Sequence, residues 1–378
     1  MAETFPRWGL PEVAFIETDS EKIEAEIIKQ YETASGRTLA KGDPVRLFLE
    51  TIAATIIQQR AAINTAARQN LLSYAQGEFL DALGVYLGVT RLPAAPAKTT
   101  LKFTLSIVLA NDYRIPRGTE VTNGIVTFST DKELIIPAGS ANGSVDATCL
   151  TTGESGNGFL AGQINTLVKP ITFVGSAENT TTSSDGAKEE NDESLARRIR
   201  LAPNAFSVAG ARKAYEFHAY SVSSAIIDVS VVTPSAGEVD VYPLVTGGTL
   251  PSAALRNEIY DYLNAETIRP LTDYVQVLAP TATNYSIRVD YWINTENRGR
   301  VDAIKAAVEQ AVKDYRAWQQ SKIGRDISPE KLLTMVVNAG ASRVDSSVLS
   351  PSAFVSIDGS HVAQCTSVTI NYKGLKDE

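Results

Sequence analysis

Histidine, cysteine and methionine occur only twice each in the 378-residue sequence, and these shortages narrow its chemistry. Cys149 and Cys365 are too few for a disulfide framework and too far apart for a metal knuckle, so both read as buried or half-buried thiols. A histidine metal site would need His218 and His361 to converge from different expected domains. His218 stands among Tyr215, Phe217 and Tyr220 and reads as a packing or surface residue, whereas His361 follows the turn Asp358-Gly359-Ser360 and reads as exposed. Basic residues number 35 against 43 acidic ones, a net charge of -8. That balance argues against a nucleic-acid partner, because such binding neutralises phosphates with a basic face. Apolar runs such as Ala53–Ile57 fall far short of the roughly 20 residues of a membrane span, so no membrane partner is expected. Met1–Trp8 has no basic stretch followed by an apolar one, so no secretory signal is expected and the chain should fold in a reducing cytoplasm.

Catalytic signatures are missing too. Gly153-Glu154-Ser155-Gly156 has the wrong spacing for a nucleophile elbow, and neither a Walker loop nor a dinucleotide fingerprint occurs. The acidic group Asp185, Glu189, Glu190, Asp192 and Glu193 lacks the alternating Asp and Asn of a calcium loop, and reads as a solvated loop leading into a capped helix. The expectation is no catalytic residue, no cofactor and no metal: a building block that assembles with copies of itself and with other proteins.

What is present is a chain that should fold, with 44% hydrophobic and 21% charged residues and a length suited to more than one core. Asp19 and Ser20 are placed to cap a helix whose Ile23, Ile27, Ile28 and Tyr31 share a face, with Gly36 to end it. Asp43-Pro44 is a second helix start, and no Pro or Gly follows until Gly77. The spacing predicts one helix from Pro44 to Ala75, about 48 Å long at roughly 1.5 Å per residue. Its Val45, Phe48, Ile52, Ile56 and Ile63 keep helical spacing, and Leu80, Leu83 and Leu87 do so on the short helix after it. Such a stripe can pack against the first helix and its own domain; the alternative is an intermolecular bundle, because one short helix cannot cover so long a stripe, and on that reading these eight residues are the candidate assembly interface.

From about residue 97 the pattern alternates in strand fashion between dense turns, among them Pro116-Arg117-Gly118 and Asn123-Gly124. The fold class expected is α+β and multidomain. A long-helix region covers 1–92 and a small all-β domain, sandwich or partial barrel, covers 97–177. An α+β module with a leading acidic loop and helix covers 178–281, and a second α+β module covers 282–378. Pro93, Pro96, Asp185 and Gly186 lie in apolar-poor connections and are the candidate hinge.

Five short motifs then occur in a fixed order. Gly77-Glu78-Phe79-Leu80-Asp81-Ala82-Leu83-Gly84, running on to Arg91, is the first, and Ile115-Pro116-Arg117-Gly118-Thr119-Glu120-Val121 is the second. Gly153-Glu154-Ser155-Gly156-Asn157 is the third; Asp185-Gly186-Ala187 with Asp192-Glu193-Ser194-Leu195 and Arg197-Arg198-Ile199 is the fourth; Arg269-Pro270-Leu271-Thr272 is the fifth. Together they resemble the baseplate J-like proteins, wedge subunits of contractile phage tails and related injection machines. The sequence departs from the family pattern at Lys188-Glu189-Glu190-Asn191, which lengthens the fourth motif's loop. The resemblance implies a virion or tail-like particle assembled in a bacterial host cytoplasm. It implies pairing with a second copy through the helical part, with smaller wedge proteins, the tail hub or spike and sheath-initiating proteins as neighbours. It further implies a ring around the hub that rearranges to trigger sheath contraction. A receptor-binding fibre or a tail-associated cell-wall hydrolase is the alternative; the helical first quarter speaks against the former and the scarcity of histidine and paired acids against the latter.

Overall fold

Capping chemistry sets the helical frame. In the computed structural model, which describes residues 5–206 and 211–377, the Asp19 carboxylate accepts the Glu21 and Lys22 amides and opens α1 (Ser20–Ser35); left-handed Gly36 closes it. Asp43 accepts the Val45 amide and opens α2 (Pro44–Arg68), with Pro44 in the first turn. The helix expected to reach Ala75 therefore stops at Arg68, about 38 Å from its start. The reason is tertiary. Arg7 donates to the Leu72 and Ala75 carbonyls at 3.0 and 2.8 Å, and its own amide bonds the Ser73 carbonyl. These carbonyls are claimed by a buried guanidinium and a distant amide, so the stretch after Arg68 folds into turns.

α3 (Gly77–Val85) and α4 (Asp192–Leu201) complete the helical part. By contacts the chain divides into one unit of Met1–Arg91 with Asn191–Arg200, and another of Leu92–Glu190 with Leu201–Glu378. α4 thus returns, from far along the sequence, to the N-terminal unit.

The second unit starts with the expected all-β domain, and of sandwich and partial barrel it is the latter. Its strands are β1 (Pro96–Leu105), β2 (Tyr113–Ile115), β3 (Glu120–Thr122), β4 (Thr127–Thr130), β5 (Leu134–Ile136), β6 (Asn142–Thr152), β7 (Thr166–Leu167) and β8 (Val174–Asn179). Among the described residues one sheet runs β7-β3-β4-β6-β1-β8, with β2 and β5 paired separately. The Asn179 amide bonds the Ile164 carbonyl and the Gly162 amide bonds the Asn179 carbonyl, drawing β8 back toward the chain that enters β7. Strict alternation on β1 sends Ala97, Leu101, Phe103 and Leu105 inward, where they meet Val121, Phe128, Ile136 and Ala147.

Two small modules follow, built alike. The first holds α5 (Arg212–Tyr220), β9 (Ile226–Val232), β10 (Glu238–Val245), α6 (Ala253–Leu263) and β11 (Tyr274–Val277). The second holds β12 (Thr281–Ile293), α7 (Val301–Gln320), α8 (Pro329–Asn338), β13 (Arg343–Val344) and β14 (His361–Leu375). In each, a central strand has one antiparallel and one parallel neighbour: β10 between β9 and β11, β12 between β13 and β14. Helices cross between the parallel strands and cover the sheet, as a parallel connection requires. Leu255, Ile259 and Leu263 of α6 pack on Val229, Val241 and Val275, and Val308, Val312 and Tyr315 of α7 pack on Ile287, Val289 and Tyr291. β13 stops at Val344, and the chain past it returns to β12 through the Ser350–Arg288 backbone pair.

Candidate assembly surface

The face that α2 turns inward is narrow. Ala53 and Asn64 are its buried residues. Along its first half α1 lies against it, contributing Ile23 and Ile28, with Arg46 bridging Glu24 and Glu50. Along its second half an extended segment takes over. Asn64 accepts the Phe15 and Ile16 amides at 2.8 and 3.0 Å and donates to the Ile16 carbonyl, while Arg68 donates to the Val13 carbonyl at 2.7 Å. Asn64 is a polar clamp that hydrophobic spacing does not flag. Its only sequence signal is an amide at an inward helical position.

Among the described residues nothing covers the opposite face. Phe48 is 64% exposed, Ile63 52% and Ile52 37%, and Leu47 beside them is 53% exposed. These recur at helical spacing, so they form one stripe. Val45 and Ile56 are half-buried at its margins. On α3 and just past its end the expected set splits: Leu80 is fully buried and belongs to the packing of the chain itself, Leu83 is half-buried, and Leu87, beyond the helix, is exposed. Phe79, Val85 and Tyr86, none of them in the expected set, are exposed as well. The sequence signal for them was present, since a nine-residue helix with one buried leucine cannot hide every apolar side chain.

The first and fourth motifs meet in one ionic knot. The Gly77 amide donates to Asp192 at 2.8 Å, and Arg91 bridges Asp81 at 2.8 Å and Asp192 at 2.7 Å. Burial alone would raise the Asp192 pKa, but the Gly77 amide and the Arg91 guanidinium outweigh it and hold the carboxyl below its ordinary value. Glu193 accepts from buried Arg7 at 2.9 Å, and Arg198 donates to the Thr90 carbonyl at 2.5 Å. Gly84 is required here, because a Cβ would stand 2.5 Å from the Val89 carbonyl oxygen and 3.3 Å from Ile199. The third and fourth motifs meet likewise: Asn157 exchanges two hydrogen bonds with Gly186, donating at 2.8 Å and accepting at 2.9 Å. The first, third and fourth motifs are therefore pins of the fold, binding segments that lie far apart in sequence.

Four family models match in chain order. The Baseplate J-like N-terminal domain matches residues 42–98, the barrel domain 100–186, the central domain 207–279 and the C-terminal domain 285–371. The chain belongs to the baseplate J-like family. It is 28% identical over 193 residues to Baseplate protein J of Escherichia phage P2, an alignment spanning 50% of this chain and 62% of that protein. The baseplate of the anti-feeding prophage, solved by cryo-electron microscopy, contains a chain aligned over 91% of this one and 90% of its own length. At 14% identity and a TM-score of 0.36, that likeness is too loose to transfer contacts.

The acidic segment of this baseplate J-like chain differs from the solvated loop expected. Ser183, Asp185, Ala187 and Glu190 are all 5% exposed or less. The segment runs beside the other connection to the barrel, with Ala95 bridged to Ala187 and Lys98 to Ser184. Glu190 accepts the Leu92 amide at 3.0 Å, and the Pro93 carbonyl accepts from Ser224 at 3.0 Å. A polar stretch can be buried when its backbone is paired and its carboxylates meet amides, which composition does not reveal. The five acids do not cluster, and among the described residues no group of three or more His, Cys, Asp or Glu is placed to hold a metal. His218 packs against Phe217 and Tyr262, its pKa lowered by burial; His361 is partly exposed, 2.7 Å from Asp358. Burial raises the pKa of both thiols, Cys149 and Cys365. Among the described residues no helix is long and apolar enough to cross a membrane.

Proposed function

We propose that this protein is a structural, non-enzymatic wedge subunit in the baseplate of a contractile phage tail or tail-like injection particle. One observation carries the reading: a member of the baseplate J-like family leaves the outer stripe of its longest helix, Phe48, Ile52 and Ile63, without cover from the described residues of its own chain. A stripe of that kind calls for a second polypeptide. A second copy takes that place, docking α2 and the exposed side of α3, and smaller wedge proteins join the pair. The C-terminal module supplies the next contact around a ring that encloses the tail hub or spike and adjoins the sheath-initiating proteins. β14 supports this, since it is an edge strand among the described residues and exposes Val368. Rearrangement of the ring during contraction uses Pro93, Pro96, Asp185 and Gly186 as the hinge, because both connections to the barrel cross there side by side.

Light scattering and native mass measurement test the pairing. The wild-type chain is expected to dimerise, and the double variant Phe48→Glu, Ile63→Glu to remain a folded monomer. A wild-type monomer at all concentrations, or a double variant that pairs as well as wild type, would remove the helical interface. A map of the intact particle in which this chain is absent from the baseplate would remove the wider reading.

A further inference from the structure

Asp185 is placed where a carboxylate is costly. Its side chain is 4% exposed and its backbone is left-handed, with φ of 70°, unusual for a residue bearing a Cβ. The next residue, Gly186, is packed so closely that a Cβ there would overlap the Gly153 carbonyl and stand 2.8 Å from the Asn157 Oδ1. Asp185 Oδ1 accepts from the Ser252 amide and the Ser184 hydroxyl, both at 3.3 Å. Asp185 Oδ2 is buried and has no partner among the described residues. Ser252 is the N-cap of α6, so this one side chain ties the barrel's exit strand to the middle module.

Cavities flank it on both sides. One of about 350 Å³ is lined by Leu92–Pro96, Lys98, Val222–Ser224 and Glu258; the other, about 420 Å³, by Asn157, Ser183, Val245 and Leu250, and Asp185 borders both. The charged groups around it are already engaged. Lys98 on β1 is held by Glu258 of α6 at 2.5 Å, and Glu154, on the turn beside Asn157, is paired with Lys188 at 3.5 Å. The Leu92–Pro96, Val222–Ser224 and Val245–Leu250 segments contribute no charge.

We propose that Asp185 is a proton-dependent latch that holds the barrel against the N-terminus of α6: neutral, it lets the seam close; ionised, it loosens it. This rests on reading the two barrel connections as the hinge. Burial raises the pKa of the Asp185 carboxyl, which gives the direction. A carboxyl with a raised pKa in the closed state contributes stability that is complete below its open-state pKa. That contribution is lost as pH rises through the closed-state value. The seam therefore tightens as pH falls and loosens as pH rises, and a local opening of this kind needs no unfolding of either module.

Hydrogen exchange of the full chain, followed by mass spectrometry from about pH 4 to 8 and corrected for intrinsic exchange, reads the latch. Protection over residues 183–187 and 248–255 is expected to fall with rising pH, by at most about tenfold per pH unit for one proton. Asp185→Asn should hold protection level across the range. Glu258→Gln, at a half-exposed position, frees Lys98 for the carboxylate and should make the fall shallower even if the first variant does not fold. Sub-global opening with no pH dependence in wild type would overturn the latch while leaving the hinge. A wild-type slope retained in Asp185→Asn or in Glu258→Gln would do the same. Protection lost only through global unfolding would remove hinge and latch together.

Discussion

α7 and α2 are both long amphipathic helices, and they differ in where their cover comes from. α7 buries Ile304, Val308, Val312 and Tyr315, each at most 6% exposed, against the sheet of its own module. α2 is five residues longer, 25 against 20, yet buries only Ala53 and Asn64 and turns Leu47, Phe48, Ile52 and Ile63 outward. Periodicity states which side chains need cover. It does not state which chain provides it: α7 is covered within its own module, whereas α2 keeps an outward apolar stripe.

That contrast can be broken first at its buried end. Tyr315→Ala should destabilise the C-terminal module by about 3–5 kcal/mol, since the ring is fully buried and its hydroxyl donates to the Ser328 carbonyl at 3.1 Å. Urea unfolding followed by near-ultraviolet circular dichroism reads this, and a cost near zero would show that α7 is not closed within its own fold. Gly186→Ala should cost about 1–3 kcal/mol, because the motif turn has no space for a methyl group; calorimetry checks it.

The ionic knot comes next. Arg91→Met leaves Asp81 and Asp192 without their shared cation and should cost about 1–3 kcal/mol near neutral pH. The Asp192 pKa is depressed, so the stability it contributes is present above the ordinary carboxylate range and is lost as pH falls through the depressed value. In the variant that acid limb should flatten, and urea midpoints measured from about pH 2 to 6 compare the two. An unchanged acid limb would mean that Arg91 is not what holds the carboxyl ionised.

The smallest effect on stability belongs to the outward stripe. Phe48→Ser with Ile63→Ser should leave the dilute monomer within about 0.5 kcal/mol of wild type while weakening association. Loss of more than that, measured at a concentration where no dimer forms, would show that the stripe is covered from within after all.

Much of the frame was legible in the residues. Asp19 and Asp43 cap the helices they were placed to cap, and Gly36 ends α1 as expected. Local rules suffice there, because a cap and its amides lie within one turn of chain. The long helix failed at Arg68 because its termination depends on Arg7, more than sixty residues away. The candidate surface was partly legible: spacing identified Phe48, Ile52 and Ile63, but assigned Leu80 to the same stripe although it is fully buried.

By itself, then, the sequence determined the caps, the helix and strand periods, the turn glycines and the order of the motifs, all of which act over a few neighbouring residues. Only the tertiary structure decided that α4 returns to the N-terminal unit, that an acidic stretch is buried and that Asn64 is a clamp. Those depend on partners distant in sequence, and a polar group's burial is set by whether such a partner arrives to satisfy it.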